Sequence, residues 1–110
     1  MTVRGLVPVY CNFAIDGGYW HARPGCFYIC DATAGNLNFK LPSVDTLETG
    51  DIFAAKITGG TGTFSAIFHP WGSEQINGLS TVSLVQAGQG RIFTAGAPAG
   101  AAAGKGWMSQ

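Results

Sequence analysis

Charge is the scarcest thing in this sequence. Asp, Glu, Lys and Arg make up 11% of its 110 residues, where a soluble domain carries about 25%. Six basic and six acidic residues cancel, and a sparsely charged surface with no net charge invites association. Much of this surface is therefore expected to be covered in the working state. A neutral chain without a basic run lacks the electrostatics of a nucleic-acid binder. Long hydrophobic runs are missing too. The longest fall far short of the ~18–20 residues of a membrane-spanning helix, so no membrane partner is expected. Met1–Pro8 has neither the apolar stretch nor the cleavage site of an export signal, which points to a protein made in a cytoplasm and not exported by a cleaved signal. Helical patterning is absent as well. No 11-residue window repeats apolar residues at i, i+3, i+4 and i+7 without a Gly or Pro.

Cysteine is sparse and odd in number, with three residues and no C-x-x-C spacing. On a strand over Gly25–Cys30, Cys26 and Cys30 would share a face about 13 Å apart. A disulfide needs Cα atoms within about 7 Å, so these two cannot bond, while Cys11 could bridge to either if the strands are neighbours. Buried free thiols fit a reducing compartment.

What is present is glycine, 17 residues of it, cutting the chain into pieces of strand length. Val7–Phe13 reads as a strand before a turn at Asp16-Gly17-Gly18. Gly25–Cys30, Asn36–Leu41, Asp51–Ile57, Thr63–His69, Ser80–Val85, Arg91–Thr94 and Gly106–Met108 follow. Asn36–Leu41 alternates, with Leu37, Phe39 and Leu41 facing one way and Asn38 and Lys40 the other. Phe53 and Ile57 share a face of the next strand. Asn77-Gly78 is the strongest hairpin signal and would join Gln75-Ile76 to Ser80–Val85. Short strands at this spacing predict an all-β single domain, a small antiparallel sandwich or jelly-roll-like barrel with little or no helix. Its core is expected to hold Leu37, Phe39, Leu41, Phe53, Ile57, Ile76, Leu84 and Trp107, and its turns Gly35, Asn77 and Gly78. Gly96–Gly106 is Ala-rich but holds four glycines and a proline, and reads as a loop.

Chemistry-bearing motifs are few. Gly100–Gly106 ends in Gly-Lys-Gly, but no Ser or Thr follows the Lys and no strand–helix step surrounds it, so it is not a phosphate-binding loop. His21, Cys26 and Cys30 match no zinc spacing. Asp45, Glu48 and Asp51 cluster after Pro42 in what reads as an exposed loop. No G-x-S-x-G elbow is present. No enzyme, metal or cofactor is expected. Tyr19, Trp20, His69 and Trp71 adjoin predicted turns and are candidates for an interface or a sugar-stacking surface.

The stretch Asp31-Ala32-Thr33-Ala34-Gly35, followed by an alternating strand ending in Leu41-Pro42, resembles a recurring phage module. Gly50 with the strand to Ile57, then Gly72, then Ile76-Asn77-Gly78, then Ser80–Leu84, and finally Gly106-Trp107 continue the pattern in order. The chain thus resembles, over about Asp31–Met108, the small β-rich module of tail fibre, tailspike and head decoration proteins of tailed bacteriophages. The Ala/Gly stretch before Trp107 and residues 1–30 depart from it. The resemblance implies residues 31–110 as the module and 1–30 as an arm with first strands that touch capsid or neighbour. It implies a virion structural protein, and the single-domain length favours a capsid decoration (cement) protein over a fibre. The partners would be the major capsid protein and further copies of the chain, as a homotrimer, with Met1–Pro8 as a strap onto the capsid. The alternative is a tail fibre or adhesin module binding a host-surface glycan through Tyr19, Trp20, His69 and Trp71.

Overall fold

Strands form where apolar residues recur at every second position, and the breaks fall at Gly and Pro. The computed structural model describes residues 6–12, 18–33, 35–48, 50–59, 64–86, 88–96 and 106–110. Among these are ten strands: β1 (Val7–Cys11), β2 (Trp20–His21), β3 (Cys26–Asp31), β4 (Leu37–Lys40), β5 (Ile52–Gly59), β6 (Ala66–His69), β7 (Gln75–Ile76), β8 (Val82–Leu84), β9 (Gly90–Gly96) and β10 (Gly106–Ser109). A 3-10 turn at Val44–Thr46 is capped by the Ser43 side chain, which accepts from the Asp45 N–H. The first five residues of the expected strap, the turn at Asp16-Gly17, Phe13, the connection at 60–63 and the Ala/Gly stretch 97–105 lie outside the described residues.

The strands make two facing sheets around one core, the all-β sandwich architecture expected. The first sheet runs β1-β3-β5-β9-β10-β7 and the second β2-β4-β6-β8. β1 and β3, which precede the resemblance, are built into the same sheet as β5. The radius of gyration, 13.1 Å, matches the ~13 Å of a compact chain this long.

Strand direction differs from the expectation of an antiparallel sandwich. β1, β3 and β5 are parallel, as are β2, β4 and β6. β7 also runs parallel to β10. Only β5–β9, β9–β10 and β6–β8 are antiparallel. The cause is the connections. From β1 to β6 the chain crosses to the opposite sheet after every strand, so each strand lies beside the one two before it and runs the same way. The chain coils through β1–β6 and closes with antiparallel pairs. Period-two patterning reports which face a residue takes and is blind to direction. The signal that was present is that Cys26-Phe27-Tyr28-Ile29-Cys30 is apolar at every position, as parallel strands are.

Asn77-Gly78 is also not a hairpin. Its backbone is the expected turn, with φ of +52° at Asn77 and +80° at Gly78, a conformation that Asn and Gly adopt most readily. Ile76 and Leu79 exchange N–H···O bonds of 2.9 and 2.8 Å. The flanks then diverge, β7 into the first sheet and β8 into the second. Two residues of β7 cannot hold β8 against the pull of the core, where Val82 and Leu84 are buried. The turn is a corner between sheets.

Leu37, Phe39, Leu41, Phe53, Ile57, Ile76, Leu84 and Trp107 all have no exposed surface. Aromatic rings link the two layers. Phe53 stacks on Phe93 at 4.6 Å, Phe93 meets Phe68 at 4.8 Å, and Phe68 stacks on Phe39 at 4.7 Å. Trp107 stands edge-on to Phe53 at 5.3 Å. Such pairs add ~0.5–1.5 kcal/mol each beyond area burial.

Candidate functional site

β2, β4 and β6 place their alternate residues on the outer face of the second sheet. Tyr19, His21, Asn38, Lys40 and His69 come together there, since His21 is level with Lys40 and Lys40 with His69. The Tyr19 ring stands edge-on to His69 at 5.3 Å, and Lys40 Nζ lies 5.4 Å over the Tyr19 ring, within cation–π range. His69 Nε2 is 3.0 Å from Asn38 Oδ1.

Of the four aromatic and imidazole candidates, Tyr19 and His69 therefore touch. Trp20 does not join them. It alternates inward on β2, is half-buried, and stacks on Phe39 at 6.4 Å. Trp71 follows β6 and is 53% exposed. It lines a cavity of about 420 Å³ with His21, Arg23, Lys40, Ser43 and Thr46. Lys40 is thus shared between the Tyr19–His69 pair and the cavity. Lys40 and Arg23 were missed in the sequence because they stand in separate segments. The one signal available was that Lys40 lies on the polar face of an alternating strand.

Burial, and then the Lys40 charge, hold the His69 imidazole below its ordinary 6.5. The unfolded chain therefore binds the extra proton first, so stability falls as pH drops through 6.5 towards the folded value. In an NMR titration His69 should titrate below His in a peptide. Lys40→Met should move it up without restoring it fully, since burial remains. An unchanged titration in that variant would rule out the Lys40 contribution.

The other residues considered for chemistry have structural partners. Asp51 accepts the Glu48 N–H at 3.0 Å, while Asp45 and Glu48 are exposed. Asp31 accepts from the Thr33 hydroxyl and from its N–H at 3.0 Å, closing the turn after β3, and these donors hold its carboxyl below the usual range. Gly35 completes that turn with an N–H bond to Ala32 O at 3.2 Å. The three cysteines are free thiols. Cys11 is level with Cys30 on β1 and β3, and Cys26 with Val7. Among the described residues no three His, Cys, Asp or Glu side chains are grouped to hold a metal ion.

The outer face of the first sheet is a second candidate. Phe27, Ala54 and Ile92 form one row across β3, β5 and β9, and Tyr10, Ile29 and Lys56 the next across β1, β3 and β5. Tyr10 is 70% exposed and Met108, on β10, 40%. Ala54, level with Phe27 and Ile92, is buried although it stands outside the main core cluster. Lys56 is the one charge in these two rows. No protein-family model matches the chain, and no curated protein matches it.

Proposed function

We propose that the chain is a virion structural protein of a tailed bacteriophage, a decoration (cement) subunit that stabilises the head. The phage assignment comes from the order of motifs over Asp31–Met108. The observation that carries a structural role is the apolar outer face of the first sheet. Its β1-β3-β5 part is parallel, and parallel strands are ordinarily covered on both faces; here one face is packed on the core while Tyr10, Phe27 and Ile29, with Ile92 and Met108 on the antiparallel β9 and β10, are left outward. The scarcity of charge fits the same reading. A copy of the chain, as in a trimer, or the major capsid protein would cover that face. The added interface would oppose the outward pressure of packaged DNA.

The test is the copy number of the protein in purified particles, by quantitative mass spectrometry against the major capsid protein. The two are expected in comparable numbers. Ile92→Glu should leave the fold intact, since the backbone bonds of Ile92 to Gln110 remain, and should remove the protein from particles. A handful of copies per particle would move the assignment to the tail, and absence would end both virion readings. The cavity beside Trp71 favours a second reading, a fibre or adhesin module that binds a host-surface glycan.

A further inference from the structure

We infer that the cavity at the end of β2 and β4 binds an acidic sugar residue, a pyranose bearing a carboxylate, at the end or along the chain of a glycan. The inference rests on the glycan-binding reading and gives it a site and a ligand class.

The cavity is built from three separate stretches of chain, 21–23, 40–46 and 71. His21 and Arg23 come from the end of β2 and the turn after it, Lys40 from the end of β4, Ser43 and Thr46 from the 3-10 turn, and Trp71 from the chain after β6. Its volume of about 420 Å³ falls in the range of small-molecule sites, roughly 300–1,000 Å³.

The walls are held before any ligand arrives. The Tyr28 hydroxyl accepts the Arg23 N–H at 2.7 Å and donates to His21 O at 3.3 Å, which fixes the turn carrying both residues. Burial keeps that phenol protonated, so the donation persists. Glu74 grips the opposite wall, accepting from Ser43 Oγ at 2.9 Å and from the Val44 N–H at 3.1 Å. Ala22 N–H donates to Lys40 O at 3.0 Å and Leu41 N–H to His69 O at 2.9 Å, tying the floor to the second sheet.

Charge selects the ligand class. Four Arg and Lys residues lie among the described residues, and two of them, Arg23 and Lys40, line this one cavity. Among the described residues no carboxylate lines it. Glu74, behind the wall, is engaged by Ser43 and Val44, and Asp45 sits exposed on the 3-10 turn outside the lining.

A phosphate would want several converging backbone N–H groups, and here they are taken. The N–H groups of Ala22, Arg23, Leu41, Val44, Asp45 and Thr46 all donate within the protein. What remains is the Arg23 guanidinium, a fork that suits a planar carboxylate, and the Lys40 side chain, whose ammonium also lies over the Tyr19 ring. Trp71 supplies an exposed flat ring against which the C–H face of a pyranose can lie, and exposed aromatic rings of this kind mark recognition surfaces.

The experiment titrates the full chain with a glucuronic-acid oligosaccharide, its carboxyl-reduced counterpart and inorganic phosphate, at fixed ionic strength, by calorimetry. The acidic oligosaccharide should bind at least about tenfold more tightly than the reduced one, the scale of a charge-assisted hydrogen bond. Arg23→Gln should erase that difference and Trp71→Ala should weaken both sugars. Lys56→Gln, on the other sheet, should change nothing, with melting curves confirming that each variant is folded. Equal binding of the two sugars would overturn the carboxylate assignment and leave the glycan reading standing. Displacement of the sugar by equimolar phosphate would overturn it as well, leaving a plain anion site. No binding of either sugar would overturn both. If Arg23→Gln erases the difference between the two sugars while particles carrying it adsorb to host cells unchanged, the cavity assignment holds and host recognition falls.

Discussion

Replacing Trp107 with alanine should lower the melting temperature by more than about 12 °C or leave no folded protein to measure. The indole has no exposed surface and abuts Phe53, which through Phe93 and Phe68 reaches Phe39 on the opposite sheet. Removing a buried aromatic costs ~3–5 kcal/mol, and a small domain has only about 5–15 kcal/mol in total. Each kcal/mol is worth roughly 4–8 °C at this size. Among the described residues the buried indole Nε1 has no hydrogen-bond partner, so the native core carries a donor that none of them pairs. Trp107→Phe removes that donor along with part of the ring and should cost clearly less than the alanine change. Thermal unfolding by circular dichroism separates the cases. A shift of only a few degrees for the alanine variant would mean that the aromatic column does not hold the sheets together.

That column was legible because its members obey the period of two. Leu37, Phe39 and Leu41 alternate with Asn38 and Lys40, so their shared face is readable without knowing any neighbour. Direction was not readable from the alternation, which a parallel and an antiparallel strand share, and the unbroken apolar run Cys26–Cys30 was its one trace. β2 was not readable either, since two residues make no pattern. Its Trp20 stood next to predicted turns and was placed with the interface candidates, yet it packs on Phe39. The turn chemistry of Asn77-Gly78 is local and was visible. The use of Asn77 is not local. Its amide donates to Ser109 O and Oγ and accepts the Ser109 N–H, each at 3.0 Å, across 32 residues of sequence. The cavity at Trp71 was hidden for the same reason, because only the coiling of the chain brings Arg23, Lys40 and Trp71 to one place. The outer face of the first sheet was half visible. Phe27 and Ile29 stood in an unbroken apolar run, and nothing in the run says which side meets the core.

Gly106→Ala should destabilise the protein about as much as Trp107→Ala, and for a different reason. Gly106 is buried, holds φ at +148°, and approaches Gln75 so closely that an added Cβ would overlap the Gln75 carbonyl oxygen. The positive φ alone costs a side chain about 1–3 kcal/mol. The overlap is with backbone, which cannot swing aside as a side chain can. Relief requires β10 to move off β7, and this closeness is what lines up Trp107 with Ile76. The Asn77 N–H then loses Trp107 O, 2.8 Å away, and the Asn77 amide loses its three bonds to Ser109. At about 0.5–1.5 kcal/mol net for each bond, the loss reaches the scale of the missing indole. Gly72→Ala is the control, with φ at +54° but open space around the new Cβ, so it carries backbone strain and no collision. Hydrogen exchange should show the Asn77 and Ser109 amides losing protection in Gly106→Ala and keeping it in Gly72→Ala. Equal melting temperatures for the two would mean that backbone conformation, and not the approach to Gln75, is what requires glycine before the tryptophan.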